Sequence, residues 1–341
     1  MRIKTKIIFY YSLLLLISAC SSKRNIPETL QNKFDVLSIS KNFASPEINL
    51  DENHLKEILV LLYNSFPPEE IKEYFQIKND DYDLYINDLF GQGLIRKTAD
   101  GGFVPSCMVI DVRSGNQLKK TADSLGREMS LIAIERLEKI KNAYGNISAL
   151  KNIPFEQASS FIIGDVIYNF WQLPEIKEKF LKAEAPRRGA GRFYLAVLEN
   201  NRGNGYLPFG LYANRFQSSG NYIAGCYGNL KGENDLFPAE SGEAAIVKDK
   251  NSSIPLFSRE DQKILKEIAA LISPDIINYL EKNRTLFVKL YLNSDYKDQT
   301  SFREWLVWYY QFMITQANRS LEEKGLIKYS APGEYKFILL K

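Results

Sequence analysis

Hydrophobic positions along the chain fall into four successive segments with different spacing. Residues 51–110 show helical spacing followed by two short apolar runs, and residues 111–185 show helical spacing almost throughout. Residues 186–256 carry short β-type runs separated by Gly and Asn, and residues 257–341 return to helical spacing before a final apolar run. This pattern predicts an α+β fold that is mostly helical, with a small antiparallel β section in the middle.

The segment 51–110 predicts three short helices and a two-stranded hairpin. The first helix carries apolar residues three and four positions apart, and Pro67-Pro68 separates it from the second helix. The third helix is expected to be capped by Asn79 or Asp80, and Gly93 is expected to end it with a positive φ angle. Residues 94–97 and 103–104 then predict two strands joined by a Gly-Gly turn.

Three short helices followed by a hairpin resemble the winged helix-turn-helix fold. The phrase Leu89-x-x-x-Gly93-Leu94-Ile95-Arg96 is similar to the end of the recognition helix and the first wing strand of that class. The resemblance implies a winged-helix-like module, and in such regulators the third helix meets DNA. Here residues 79–94 contain no Lys or Arg, and phosphate contacts need donors that are usually cationic. The acids of this helix are Asp80, Asp81, Asp83 and Asp88.

The end of the chain repeats the ending of this segment. Residues 321–328 align with residues 89–96, and Gly325 again precedes Leu and Ile. Residues 330–340 then predict a second wing turn and a second returning strand. The sequence therefore predicts winged-helix-like modules near both ends of the chain.

A long helix is predicted over residues 116–142. Its apolar residues step by four and three positions, which is typical of a seam that packs on another helix. These residues are Leu118, Ala122, Leu125, Met129 and Ile132. Packing within the core and dimerisation through the seam are both open. Residues 153–185 predict more helix, which is nearly all apolar from residue 161 to residue 171 and therefore buried.

Three arginines follow this helical segment in a glycine-rich stretch. Arg187, Arg188 and Arg192 stand in the sequence Pro-Arg-Arg-Gly-Ala-Gly-Arg. Guanidinium groups beside glycine backbone can cradle a phosphate or a carboxylate, which makes this stretch a candidate anion-binding loop. A solvated linker between two regions is the alternative.

The beginning of the chain has the order of a secretion signal. Three cations, Arg2, Lys4 and Lys6, precede an apolar run of about eleven residues, 7–17. A membrane-spanning helix needs about 20 apolar residues, so this run is short for an uncleaved anchor, which remains the alternative.

The stretch Ile17-Ser18-Ala19-Cys20 resembles the lipobox of bacterial lipoproteins. The resemblance implies that residues 1–19 are a signal peptide and that the Cys20 thiol carries a lipid. Residues 20–50 would then form a lipidated tether, because they are polar with scattered apolar positions. The resemblance places the protein in the cell envelope, anchored to the inner or the outer membrane.

Charge argues against a nucleic-acid partner. The whole chain carries 44 Lys and Arg against 41 Asp and Glu. Residues 1–19 hold three of the bases and no acid, so their removal leaves 41 of each sign. A chain without net charge has no long-range field to gather nucleic acid. We therefore expect attachment to a membrane through lipid and a protein partner, with the oligomeric state open.

Histidine and cysteine, the usual ligands of zinc, are scarce. His54 is the single histidine, and Cys107 and Cys226 are the cysteines that lipidation does not use. Pairing of these two cysteines in an oxidising envelope and two buried free thiols are both open. The sequence predicts neither a metal site nor a cofactor.

Motifs of common enzymes are missing from the sequence, including GxSxG, HExxH and the phosphate-binding Walker loop. The sequence favours a non-enzymatic binding or scaffold protein that is anchored in the cell envelope. One alternative is a winged-helix DNA-binding regulator whose first residues are not a signal. The other is an envelope hydrolase with an unrecognised site.

Overall fold

The computed structural model describes residues 25–40, 44–200, 208–228, 254–328 and 334–341. The chain divides into two compact units, 1–31 and 32–341. The predicted signal peptide, its lipobox and Cys20 lie outside the described residues. In the first unit, helix α1 (Ile26–Thr29) starts at Asn25, whose side chain accepts a hydrogen bond of 2.8 Å from the backbone N–H three residues later.

The second unit begins with a strand, three helices and a hairpin. The elements are β1 (Lys33–Ile39), α2 (Leu55–Tyr63), α3 (Pro68–Phe75), α4 (Asn79–Gly91), β2 (Ile95–Lys97) and β3 (Phe103–Pro105). β2 and β3 pair antiparallel, with Arg96 opposite Val104. Gly93 has a φ of +65°, as the predicted helix stop requires. The three helices and the hairpin are confirmed as elements, whereas the winged-helix class stays a prediction.

Strand β1 lies in the stretch that the sequence assigns to the tether, residues 20–50. It pairs antiparallel with β7 (Tyr194–Asn200), from Lys33 opposite Asn200 to Ile39 opposite Tyr194. Every residue of β7 is buried. Because this pairing fixes the backbone of β1, the predicted tether ends before Lys33.

The middle of the second unit is helical, as the sequence predicts. The elements are α5 (Val112–Tyr144), α6 (Phe155–Ser159) and α7 (Leu173–Glu175), with π-helical segments at Ser160–Ile167 and Ile176–Leu181. α5 starts at Asp111, whose carboxylate accepts a hydrogen bond of 2.7 Å from the Ser114 N–H. All eight residues of the first π-helical segment are buried. Such segments are rare and recur at functional sites.

In its described residues, the second unit contains a three-stranded sheet, a four-stranded sheet and two short two-stranded hairpins. Its further strands are β4 (Met108–Ile110), β5 (Arg187–Arg188), β6 (Gly191–Arg192), β8 (Ala213–Ser219) and β9 (Tyr222–Gly228). One sheet has the order β1-β7-β4, in which β1 is antiparallel and β4 parallel to β7. β8 and β9 belong to the other sheet, and β5 and β6 form a short hairpin. The section predicted over 186–256 is therefore divided between distant partners.

The C-terminal segment contains the remaining elements. They are β10 (Leu256–Phe257), α8 (Arg259–Lys282), α9 (Arg284–Leu292), α10 (Phe302–Glu323) and β11 (Glu334–Leu340). The second sheet has the order β10-β11-β9-β8, with β11 parallel to β10 and antiparallel to β9. α8 starts at Ser258, whose side chain caps the helix by accepting a hydrogen bond of 3.0 Å from the Asp261 N–H.

In the described residues, the second predicted winged-helix-like module has no first wing strand. Gly325 follows α10 with a φ of +69°, but residues 326–328 form no strand. β11 pairs instead with β9 and β10, so the second wing hairpin is not confirmed, and its predicted turn, residues 330–333, lies outside the described residues. Phe337 of β11 is fully buried, and its ring centroid lies 4.8 Å from that of Phe161. Burial of this aromatic strand in a larger sheet outweighs pairing with a short neighbouring run.

Helices α5 and α10 pack closely in the core. A Cβ on Gly126 of α5 would lie 2.5 Å from the Cβ of Gln316 and 2.6 Å from the Met313 carbonyl oxygen, so glycine is required there. The Ser130 and Ser320 hydroxyls lie 3.1 Å apart across the same contact. Four seam residues are buried, and Ile132 is half-buried. These burials favour core packing for the seam. The four buried seam residues are Leu118, Ala122, Leu125 and Met129.

Candidate functional site

Arg188 and Glu304 form an ion pair in the interior of the second unit. Arg188 lies on β5 and Glu304 in the first turn of α10, and their side chains are 1% and 0% exposed. The two guanidinium nitrogens Nη1 and Nη2 each donate to a carboxylate oxygen at 3.3 Å. The Leu195 N–H donates to Glu304 Oε1 at 2.8 Å, and Arg188 Nη2 donates to the Ser106 carbonyl at 2.8 Å. The pair therefore ties α10 to β7 and to the chain before β4.

The three arginines of the predicted anion-binding loop do not converge on one point. Arg187 and Arg192 lie opposite each other in the β5–β6 hairpin and are exposed. Arg192 Nε lies 3.0 Å from a carboxylate oxygen of Glu184. Because successive strand residues point to opposite faces, Arg188 turns inward. The anion that it binds is the Glu304 carboxylate of the chain itself.

Burial controls the protonation of the groups around this pair. It raises the pKa of Glu304 to about 7, although Arg188 and the Leu195 N–H act to lower that pKa. Burial raises the pKa of the nearby Cys107 thiol to about 12, and it does the same for Cys226. Both cysteines are free and buried. Such thiols stay protonated at neutral pH, which makes them poor nucleophiles.

A second buried carboxylate, Asp165, lies in the first π-helical segment and has neutral hydrogen-bond partners. Asn214 Nδ2 donates to Asp165 Oδ2 at 2.7 Å, and the Phe170 N–H donates to Oδ1 at 3.3 Å. Asn169 Nδ2 donates to Asn214 Oδ1, and Gln311 Nε2 donates to Asn169 Oδ1 at 3.2 Å. This chain of amides connects Asp165 to strand β8 and to helix α10.

The polar cluster around Asp165 holds a proton close to neutral pH. Burial raises the pKa of Asp165 to about 7, and the hydrogen bonds from Asn214 and Phe170 oppose that shift. At the other end of the amide chain, Gln311 Oε1 has no hydrogen-bond partner among the described residues. A carboxyl of this kind can serve acid–base chemistry where substrate reaches it, or it can make stability depend on pH where substrate does not.

Helix α4 presents an acidic and partly apolar face to solvent. Leu84 is 56% exposed, and Asp80, Asp81 and Asp88 lie three or four positions from it, so their carboxylates surround it. Asp83 adds a fourth carboxylate. None of these four aspartates forms an ion pair with a described residue. We call Asp80, Asp81, Asp83, Leu84 and Asp88 the acidic face of α4.

The packing of α4 explains why this face is free. Only one side of the helix is held by the unit, through the buried residues Tyr82, Ile86 and Leu89. Phe90, which is 48% exposed, leans on Phe103 of the hairpin with ring centroids 6.2 Å apart. The helix therefore contacts the unit along its inner side and at its C-terminal end, while its outer surface is exposed to solvent.

Other candidate groups of the sequence occupy structural positions. His54 stands at the start of α2 with a φ of +58°, and its ring stacks on Phe75 at a centroid distance of 4.3 Å. Among the described residues, no three His, Cys, Asp or Glu side chains cluster as metal ligands would. A cavity of about 30 Å³ lies between Ser114, Thr121 and Leu290, which is room for about one water molecule.

No family model, curated protein or solved structure matches this chain. The winged-helix and lipoprotein resemblances therefore rest on the residues that carry them. In the part of the chain that the structure describes, no helix is long and apolar enough to cross a bilayer.

Two buried carboxylates, Asp165 and Glu304, are not among the residues that the sequence singles out. Asp165 interrupts the apolar run 161–171, and Glu304 stands beside Trp305 in a wide aromatic helix face. An acid inside an apolar run is itself a signal, because a buried carboxylate needs hydrogen-bond partners. Which partners it finds depends on segments far away in sequence, and for that reason the sequence could not supply Asn214 or Arg188.

Proposed function

We propose that this chain is a non-enzymatic binding or scaffold protein of the cell envelope. It is held at a membrane by lipid on Cys20 and docks a protein partner on the acidic face of α4. The observation that carries the proposal is Leu84, which is 56% exposed among carboxylates that no described cation pairs with. A large apolar side chain within a charged ring offers a partner both an anchor and a means of orientation.

The chemistry of this face defines its partner. Leu84 would pack into a shallow apolar pocket of the partner. Its neighbours Asp80, Asp81 and Asp88 would pair with Lys or Arg at the rim of that pocket. Charge pairs at such a rim act mainly on the association rate and on partner choice, so binding should weaken as salt rises. The expected partner is a protein with a basic surface around an apolar depression.

A DNA-binding regulator is the second candidate, because three helices followed by a hairpin are the elements of a winged helix. The charge of α4 opposes it, since four aspartates stand where a recognition helix meets phosphates. We expect residues 21–341 to bind duplex DNA with a Kd of about 10⁻⁴ M or weaker at physiological salt. Saturable, sequence-selective binding in a gel-shift series would replace our proposal with this candidate.

The proposal is tested by purifying the intact protein from membranes under mild detergent and identifying the proteins that accompany it. Leu84→Ser should lose a partner that the wild type retains, while the matched control Leu131→Ser, from a leucine that is 50% exposed on α5, should retain it. Cys20→Ala should leave the membrane fraction or accumulate as an unprocessed precursor. If both leucine variants retained the same accompanying proteins, α4 would not be the docking surface. If Cys20→Ala were processed normally and stayed in the membrane fraction, the lipid anchor on Cys20 would be wrong.

A further inference from the structure

Helix α9 is a second surface with exposed apolar side chains. Of its nine residues only Phe287 is buried. Leu286, Val288 and Leu292 are 40%, 38% and 53% exposed. An amphipathic helix that hides its apolar side would bury these residues, so α9 instead keeps apolar groups in contact with water.

The charges of α9 have the opposite sign to those of α4. The helix contains Arg284 and Lys289 but no acid, and Lys282 precedes it. Arg284 is paired with Glu281 at 2.7 Å, whereas Lys282 and Lys289 are exposed. The acids Asp295 and Asp298 come beyond the end of the helix, with Lys297 between them. These last three residues lie outside the helical surface that carries the exposed leucines.

Lys289 stands between the apolar residues of this surface. At 100° per residue, Thr285, Lys289 and Leu292 point away from Phe287, and Leu286 and Val288 flank them on either side. Apolar side chains that point away from the unit can enter the headgroup boundary of a bilayer, while a cation among them meets anionic headgroups.

The tether keeps a bilayer within reach of this surface. Residues 21–31 separate Cys20 from the second unit, which starts at Asn32, and these 11 residues span at most about 40 Å when fully extended. A unit of this size has a radius of gyration of about 20 Å. A lipid on Cys20 would therefore hold the unit close enough to the bilayer for its surface to touch it.

We propose that the exposed face of α9, namely Leu286, Val288, Lys289 and Leu292 together with Lys282, contacts the surface of an anionic phospholipid bilayer. The bilayer is the occupant because the cations match anionic headgroups while the leucines enter the headgroup boundary. A second copy of the chain fits less well, since two such faces would bring like charges together. Only the nearness of the bilayer rests on the proposed lipid anchor.

The test uses the chain from Cys20 to Lys341 without lipid, so that the anchor contributes nothing. It is mixed with phosphatidylcholine vesicles that contain or lack phosphatidylglycerol, and the bound fraction is measured by flotation. We expect binding to the anionic vesicles that falls as salt rises. Lys289→Glu should lower the partition coefficient about tenfold and Leu292→Ser about fivefold.

Leu131→Ser is the matched control, because Leu131 is about as exposed as Leu292, and it should bind like the wild type. Absence of binding to anionic vesicles, or equal binding by all variants, would overturn the proposal. A dimer in sedimentation equilibrium that Leu292→Ser dissociates would assign the face to a second copy and would also overturn it. Because no lipid is on Cys20 in this experiment, its outcome is independent of whether Cys20→Ala leaves the membrane in cells.

Discussion

Helices α4 and α10 end in the same way and serve different purposes. In each, the N–H of a leucine after the glycine bonds back to a leucine carbonyl, from Leu94 to Leu89 and from Leu326 to Leu321, both at 2.9 Å. Gly93 and Gly325 supply the positive φ that this ending needs. The shared phrase therefore encodes how a helix stops and nothing beyond that.

The chain pairs locally after α4 and with distant strands after α10. After Gly93 the chain forms the hairpin β2–β3 with its own neighbour. After Gly325 the Lys328 N–H bonds to the Ser159 hydroxyl at 3.0 Å, and β11 joins the sheet of β9 and β10. The difference teaches that a local repeat predicts a helix end well and a strand pairing poorly.

The bodies of the two helices differ more than their ends do. α10 buries 17 of its 22 residues, including Glu304, whereas α4 buries three and leaves its four aspartates in solvent. The buried Glu304 carboxylate of α10 thus acts on stability, and the carboxylates of α4 are available to a partner. Substitutions in the interior and on the surface test this division.

The largest effect is expected for the interior pair. Glu304→Gln leaves the Arg188 charge buried without a counter-ion and should lower the free energy of unfolding by about 3–5 kcal/mol. Asp88→Asn on α4 should change it by less than about 0.5 kcal/mol. Urea unfolding of both variants measures the two values. Equal changes in the two variants would contradict the difference between interior and surface carboxylates. The double variant Arg188→Met/Glu304→Leu removes both charges and should recover most of the lost free energy of unfolding.

The next effect concerns pH and Asp165. Its pKa in the folded protein is raised from 3.8 to about 7, so the folded chain binds a proton that the unfolded chain releases between these values. This group therefore stabilises the fold most below about pH 4, and its contribution falls as pH rises to about 7 and stays constant above that. The full difference corresponds to at most about 4 kcal/mol.

Asp165→Asn separates this group from Glu304, which titrates with the same sign. The difference in free energy of unfolding between wild type and variant, followed from pH 4 to pH 8, should change in this window. Leu84→Ser, from the acidic face of α4, removes no titratable group, so it is the control and should give a flat difference curve. A flat curve for Asp165→Asn would mean that the buried carboxylate does not hold its proton at neutral pH.

A smaller effect distinguishes the two glycines. A Cβ at Gly93 would meet the Arg187 carbonyl oxygen at 3.3 Å, whereas at Gly325 no described atom lies within 4 Å. Alanine strains the backbone at both positions by about 1 kcal/mol because φ is positive. Gly93→Ala should therefore cost more than Gly325→Ala in a thermal unfolding series. The reverse order would show that the β5–β6 hairpin, which contains Arg187, shifts to accommodate the new Cβ more easily than the structure indicates.

The sequence predicts those parts of this molecule that local chemistry decides. The helix stops at Gly93 and Gly325, the cap at Ser258 and the long helix α5 all result from neighbouring residues. The pairing of β1 with β7 and of β11 with β9 depends on strands more than 100 residues away, which periodicity does not specify. Such pairings are decided by which apolar strands can be buried together.

The candidate surface obeys the same rule. The acids of α4 are visible in the sequence, where they argue against DNA, and the structure adds that Leu84 stands exposed among them. The inward turn of Arg188 could not be predicted, because its partner Glu304 lies 116 residues away. The sequence shows where charged residues lie, but it does not predict which residue each of them pairs with.

The central claim is that the acidic face of α4 docks a protein partner, and crosslinking in living cells tests it most directly. A photoreactive amino acid is placed at position 84 or, as the control, at position 131. We predict a discrete crosslinked partner from position 84 that fades when Asp80, Asp81 and Asp88 are changed to Asn, and none from position 131. No product from position 84, or the same products from both positions, would contradict the account.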